Sequence, residues 1–465
     1  MPQPAKPPAV SRRWFLSRSA AATLGFAAAG AGTLAAAAAE KPARPPSPPP
    51  GGPPADPLAP AATPKFDGPA DEAFWREVRS HFNIVGGLVF LNNGTLGPVP
   101  RPVRDTRARW DATLSDNPRD SFRQRELDAV RRRLAAFVNA SPDEIAITRS
   151  TTEGLNIFAR GLDWRPGDEV VIGSLEHFSA TGAYQALEKR PGIKIVTAEI
   201  PLLPASPGEI TAAYARAITP RTRVLVASHV SYVNGLIHPL AELAALAHRH
   251  GALLSVDGVQ ALGALPFDAA ATGVDHYASG GQKWLLAGTG TGVFFLRKEL
   301  QDQIIPLMGH HNPGERRGGP PSARRYEQNG QYNIPAAIGI GAAVDFQNAV
   351  GKQNIEARVR ALGGCLRDGA AAIPGVSLLT PAAPALSAGI TSLAIAGAAG
   401  ADVIYALQTR EGITVRGSRH KDADGIRVST HFYNTPAGID RLLAALRDIA
   451  KNPSSLPKAP RRGPA

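Results

Sequence analysis

Between residues 222 and 258 the chain spells a strand, a helix and a second strand with little in between. "TRVLVASHV" (222–230) is a short valine-rich apolar run, as expected of a strand buried on both faces. "PLAELAALAHRHG" (239–251) has apolar residues at helical spacing, with Pro239 near its start and Gly251 as its stop. "ALLSVDG" (252–258) is a second buried strand. Strand, helix and strand within about 35 residues make a βαβ unit, and the crossover forces the two strands to run parallel.

The same alternation extends in both directions. "DEIAIT" (143–148), "DEVVIGS" (168–174), "GIKIVTAEI" (192–200) and "GTGVFFLR" (290–297) read as further strands. The expected fold is α/β, with a mostly parallel central sheet, helices on both faces and a smaller C-terminal α/β domain. "AAIGIGAAVDFQNAV" (336–350) reads as a helix, and "PAGIDRLLAALRDIA" (436–450) as an amphipathic helix opened by Pro436. The boundaries expected are an N-terminal segment 66–100 packing on the small domain and site, a large domain 101–335, a small domain 336–450 and a basic tail 451–465.

The first 65 residues do not look globular. "SRRWFL" opens at Ser11, followed by an uncharged Ala- and Gly-rich stretch from Ala20 to Ala39. It resembles a twin-arginine signal peptide (1–39), which implies the twin-arginine export machinery as a partner and a periplasmic or secreted destination. A membrane anchor is the competing reading, but a stretch made mostly of Ala and Gly is weakly hydrophobic for a stable span. Residues 40–65 form a linker; 11 of the 24 residues from Lys41 to Pro64 are proline, which favours an extended tether over a core. The formal charge of +12 is concentrated in the ends: residues 1–65 carry seven basic side chains against two acids, and 451–465 carry four against none. That leaves +3 for the body, so no nucleic-acid partner is read from it. Cys365 is the only cysteine, which excludes an intramolecular disulfide and a cysteine metal cluster. It is expected to be buried and inert. "GHH" (309–311) has no evident third ligand, so no metal site is read there.

Ligands of parallel α/β sheets bind at the carboxyl ends of the strands. "SGGQKWLLAGTGTG" (279–292) places one charge, Lys283, among glycines and apolar residues, where an ammonium is costly unless paired or neutralised. Asp257 ends "ALLSV", with Gln260 three residues on. His177 follows "EVVIGS", and after "DEIAIT" come Ser150, Thr151 and Thr152, where Ser150 and Glu153 have capping-box spacing at a helix start. Each has an ordinary reading: a turn aspartate, a core histidine, a helix cap, a snorkelling lysine. Their order together fits pyridoxal 5′-phosphate. Lys283 would condense with its aldehyde, Asp257 would pair with the pyridine nitrogen, Gln260 would donate to the phenolic oxygen, His177 would lie on the ring, and the helix start would hold the phosphate.

From about Phe90 to Phe432 the chain resembles the class V aminotransferase group of fold-type I pyridoxal-phosphate enzymes. The matching pieces are "FLNNGTLGPVP", "RSTTEGLN", "LEHFS", "SHVSYVNGLIHPL", "VDGVQALGALPFD", "GGQKWLLAGTGTG" and "RVSTHFYNT". The resemblance implies Lys283 as the cofactor lysine, Thr151 or Thr152 on phosphate, Arg427 on a substrate carboxylate with Asn93 nearby, and a homodimer. The sequence departs from the group at Gln282, which replaces a histidine, and at Gly280, where a serine is common; Ser279 lies one step earlier. Gln331 or Asn329 stands where a threonine reaches across the dimer, and Tyr232 where desulfurases have asparagine. The wording of "SHVSYVNG" and "QKWLLAGTG" is similar to the isopenicillin N epimerase-like subgroup.

Desulfurases need a mobile cysteine in the loop matching 415–427, and none is present there. The expected activity is therefore transamination or epimerisation of an amino acid or small amine, with Lys283 removing the α-proton. A β-eliminating C–S lyase is the alternative, and a catalytically retired binding protein is the reading of another class.

Overall fold

Seven strands in one twisted sheet organise the larger part of the chain. The computed structural model describes residues 67–118, 124–308, 322–328, 330–331, 333–420 and 423–460, all within one compact unit, Asp56–Ala465. The signal-like segment, the proline-rich linker, the 309–311 histidines and Asn329 lie outside the described residues.

A short strand β1 (Val89–Phe90) comes first, and the main sheet then takes β2 (Ile145–Thr148), β3 (Glu169–Gly173), β4 (Lys194–Ala198), β5 (Thr222–Ser228), β6 (Leu253–Asp257), β7 (His276–Gly280) and β8 (Gly292–Leu296). Their spatial order is β2-β8-β7-β6-β5-β3-β4, with every neighbouring pair parallel except those made by β8. The helix Leu240–Arg249 is the predicted crossover between β5 and β6.

The strands alternate their side chains between two cores, as a period of two requires. Ile145, Ile147, Val171, Leu225, Ala227, Leu254 and Val256 pack on one face with the helices Gln124–Val138, Pro207–Ala217 and Leu240–Arg249. Ala146, Val170, Ile172, Val224 and Val226 pack on the other, under Thr151–Gly161 and Phe178–Lys189. This two-sided burial explains why these strands read as continuous apolar runs.

The C-terminal part has a four-stranded antiparallel sheet of β9 (Val376–Leu378), β10 (Ile390–Ile395), β12 (Arg416–His420) and β13 (Ala423–Ser429), in the order β12-β13-β10-β9. A two-residue strand β11 (Ile413–Thr414) pairs instead with β1, in parallel, and so ties residues near 90 to this part of the chain. The helices Ile334–Val350 and Pro436–Lys451 agree with the sequence expectation, and a further helix spans Lys352–Ala371. Among the described residues no helix is long and apolar enough to cross a membrane.

Candidate active site

The carboxyl edge of the main sheet lines up the candidate residues by strand. Lys283 lies three residues beyond β7, and Asp257 is the last residue of β6. Ser228 ends β5, with Tyr232 four residues on; Glu176 and His177 lie three and four residues beyond β3. Because β7, β6, β5 and β3 are adjacent in that order, four segments far apart in sequence meet at one rim.

Lys283 is half-buried, and burial lowers its pKa from the ordinary 10.5 to about 8; Asp257 opposes that shift, while Arg427 and Arg416 add to it. Asp257 is buried, which raises its pKa, while the Val259 N–H (3.0 Å to Oδ1) and Lys283 pull the other way. The glycine after it is required by packing: a Cβ at Gly258 would sit 1.9 Å from Cζ of Tyr277. Gln260 Nε2 donates to the Gly94 carbonyl at 3.0 Å, and its Oε1 accepts from Trp284 Nε1 at 2.8 Å. One of its two amide hydrogens therefore remains for the donation to a ligand that the sequence suggests.

His177 caps the helix Phe178–Lys189. Its Nδ1 accepts from the Ser179 N–H at 3.2 Å, and its ring meets Tyr232 edge-on at 4.8 Å. Burial, then the positive Lys283 and Arg427, lower its pKa to about 4, so it is neutral at physiological pH. Glu176 was missed by the sequence reading. Its carboxyl accepts from both the N–H and the Oγ of Ser228 at 2.6 Å, directly beside Asp257 in the strand register. Burial chiefly raises its pKa to about 8, with the Asp257 charge adding to the effect. No sequence pattern marks such a carboxyl except its place next to His177.

Opposite this rim stands β13. Arg427 is 5% exposed and donates to the Tyr232 carbonyl (3.0 Å) and to Thr95 Oγ1 (3.2 Å). Ser429 lies two residues on and so shares its face of the strand. Both reach the 92–95 turn: a Cβ on Gly94 would be 2.8 Å from Ser429 Oγ, 3.1 Å from Gln260 Oε1 and 3.4 Å from Arg427 Nη2. Asn93 is fully buried, and its Oδ1 accepts from Tyr433 Oη at 3.0 Å.

The helix Thr151–Gly161 starts as predicted, with Ser150 Oγ accepting from the Glu153 N–H at 3.2 Å. Only half of the expected capping box forms, because the Glu153 carboxylate turns to the Arg149 N–H (2.6 Å) and guanidinium. Thr151 points inward and is buried, whereas Thr152 is exposed, so of the two only Thr151 faces the interior. Ser279 is buried with its hydroxyl 3.5 Å from the Gly258 carbonyl. Gln282 is half-buried beside Gly280, and Gln331 is exposed. Cys365 was expected to be buried; it is exposed on the helix Lys352–Ala371, on a face the apolar spacing did not reveal. Among the described residues no group of three or more His, Cys, Asp and Glu is placed to hold a metal.

Several buried polar atoms of this region have no partner among the described residues: Thr151 Oγ1, Gln282 Oε1, Arg427 Nε, Ser429 Oγ and Asn93 Nδ2. Each costs about 1–3 kcal/mol if left dry, so clustering them suits a polar ligand. An amine with a lowered pKa, a carboxyl that can face a ring cation and a helix start for an anion fit pyridoxal phosphate. Fold and site together define a fold-type I pyridoxal-phosphate enzyme.

Comparison with known proteins agrees. Residues 119–442 match the family "Aminotransferase class-V", and the chain belongs to that family. Its cofactor is pyridoxal phosphate. The isopenicillin N epimerase of Amycolatopsis lactamdurans is 32% identical over 395 residues, covering 81% of this chain and 99% of that protein. A probable cysteine desulfurase of Methanothermobacter thermautotrophicus is 29% identical, covering 80% and 98%. A solved structure of a C-DES mutant with glycine covalently linked to the PLP cofactor has a TM-score of 0.72 at 26% identity, covering 80% and 99%. In another solved structure, C-DES is described as a cystine C–S lyase in complex with its product, cysteine persulfide.

Proposed function

We propose that this chain removes the α-proton of an amino acid or small amine, and that the outcome is epimerisation or transamination. The observation that carries the reading is the Lys283 amine at the end of β7, lowered to about 8 and facing the buried Asp257. The epimerase relatives, at 32% and 33% identity over nearly their whole lengths, support the epimerising outcome.

Bound pyridoxal phosphate supplies an aldehyde that captures amines and a cationic ring that withdraws electrons from the adjacent carbon. In this reading Asp257 faces the ring nitrogen and keeps its proton in place. Gln260 would offer its remaining amide hydrogen to the ring oxygen, His177 would cover the ring, and Ser150 and Thr151 would hold the phosphate at the helix start, with Ser279 and Gln282 beside them. Arg427 binds the substrate carboxylate, for which a guanidinium fork is suited, with Asn93 and Ser429 completing the recess. Lys283, as a neutral amine, takes the α-proton.

A β-eliminating C–S lyase is the second reading, favoured by the lyase and desulfurase relatives. A desulfurase of the usual kind needs a mobile thiol in the 415–427 loop, and Cys365 is the only thiol in the chain. Export through the twin-arginine route and a homodimer belong to the same proposal, resting on "SRRWFL" and on the family resemblance. An amino-acid panel scored in parallel for inverted isomer, keto acid and released sulfide tests the reading. Inversion or keto acid is expected; sulfide alone selects the lyase, and no product from any amino acid or amine refutes both.

A further inference from the structure

The strand order gives the rim a handedness. Neighbouring strands lie about 4.8 Å apart. Asp257 ends β6; Lys283 follows β7 on one side of it, while Tyr232 follows β5 and His177 follows β3 on the other. A flat group standing on Asp257 therefore has Lys283 on one flank and the Tyr232–His177 pair on the other. We propose that Tyr232 is a catalytic acid that delivers a proton to the substrate α-carbon on the side opposite Lys283. The assignment rests on the epimerising reading above.

Inversion at carbon needs a base on one face and a proton source on the other. On the far flank the Glu176 carboxyl is held by the Ser228 N–H and Oγ at 2.6 Å, which leaves His177 and Tyr232, and these two are not equivalent. His177 has its Nδ1 committed to the Ser179 N–H, so its remaining proton sits on the Nε2 of a neutral imidazole, a very weak acid. Tyr232 is half-buried and packs edge-on to His177. Its hydroxyl has no protein partner among the described residues, and its backbone carbonyl is held by Arg427 at 3.0 Å. Burial raises its pKa and the nearby Glu176 adds to the rise, so it carries its proton at physiological pH, while the Arg427 charge favours the phenolate. An acid that stays protonated until used, beside a fixed cation that steadies its conjugate base, suits a single proton delivery.

The step balances. The C–H bond breaks toward the neutral Lys283 amine, the electron pair stays with the substrate, and the Tyr232 O–H bond breaks to form the new C–H bond on the opposite face. This leaves a Lys283 ammonium and a Tyr232 phenolate near Arg427. Proton exchange with water resets both groups, and the two roles swap for the opposite isomer.

The test uses the cofactor-loaded enzyme and its Tyr232→Phe variant in deuterated water, run from each pure isomer in turn, and the outcomes are read on the isomer whose exchange the variant retains better, the one whose α-hydrogen faces Lys283. The wild-type enzyme is expected to give inverted product carrying deuterium. The variant should invert at least ~100-fold more slowly, yet still exchange the α-hydrogen of the starting isomer within ~10-fold of wild type, because Lys283 is intact. Inversion by the variant at the wild-type rate overturns the assignment, and so does equal loss of exchange and inversion, which marks a structural role. A wild-type enzyme that makes keto acid or sulfide but inverts nothing overturns the epimerising reading itself. A second readout needs no turnover: with ring-labelled tyrosine in cofactor-free protein, one of the eight tyrosine resonances should vanish in Tyr232→Phe. In Arg427→Gln that resonance should titrate at higher pH; an unmoved titration counts against the placement.

Discussion

Replacing Lys283 with methionine in the cofactor-free protein should make the fold more stable, and only over a defined pH range. The lysine titrates at about 8 in the folded protein against an ordinary value of 10.5. Each unit is worth about 1.4 kcal/mol, so holding the ammonium in place costs the fold about 3 kcal/mol when fully charged. A group whose folded pKa is lowered binds fewer protons in the native state than in the unfolded one. Stability of the lysine protein therefore rises with pH between about 8 and 10.5 and is flat on either side. Methionine fills similar space without the charge. The variant should lead by up to about 3 kcal/mol below pH 8, and the lead should close by pH 10.5, as read from denaturant unfolding at a series of pH values. A lead that does not change with pH would assign the effect to packing, and no lead at all would show that Lys283 reaches water. Either result removes the ground for a reactive amine. The same shift leaves roughly one lysine in ten neutral near pH ~7, against about one in three thousand at the ordinary value.

Gly94→Ala should block the recess formed by Ser429, Gln260 and Arg427, because the added Cβ meets Ser429 Oγ at 2.8 Å; substrate KM should rise at least ~10-fold with the melting temperature little changed. Arg427→Gln should raise KM for α-carboxylate substrates by ~30-fold, about 2 kcal/mol, and leave plain amines unaffected. Removing that cation should also move the Lys283 limb of the pH–rate profile upward, since Arg427 helps to hold the lysine down. Glu176→Gln should flatten a stability loss: with a folded pKa near 8 against an ordinary 4.5, the native protein loses stability as pH rises from 4.5 to 8, and the glutamine variant should not, as urea midpoints would show.

The sheet was legible because its strands are buried on two faces. Val224 and Val226 face one core and Leu225 and Ala227 the other, so the run carries no polar interruption to blur it. The residues at strand ends were legible for the same reason, since a polar side chain directly after such a run has few places to point. The antiparallel setting of β8 was not, because an apolar strand reads the same in either direction. Glu176 escaped because its meaning comes from Ser228, 52 residues away, and Gly94 because its neighbours are Ser429 and Arg427 from the far end of the chain. Cys365 was misjudged because small residues on a long helix give weak spacing, and its exposure depends on what packs there.

The placement of Lys283 comes from its neighbours in sequence more than from its own contacts. Just before it, the Gln282 carbonyl accepts from the Gly97 N–H at 2.8 Å. Just after it, the Trp284 carbonyl accepts from Gln347 Nε2 (2.7 Å) and His431 Nε2 (2.9 Å), and the Trp284 indole N–H binds Gln260. Leu286 then takes a positive φ of 63°, an uncommon conformation for a leucine that turns the chain back toward β8. The lysine is thus clamped by the 92–97 turn, the Gln260 segment, the helix Ile334–Val350 and the end of β13. A long, flexible side chain gains positional accuracy only if its backbone cannot drift, and a misplacement of about 1 Å is enough to cost ~100-fold in rate. The clamp shares Gln260 with the ring-facing rim and the 92–97 turn with the Arg427 recess. Substrate recognition and the amine's position are therefore set by the same few contacts, and a change at Gly94 or Gln260 should disturb both at once.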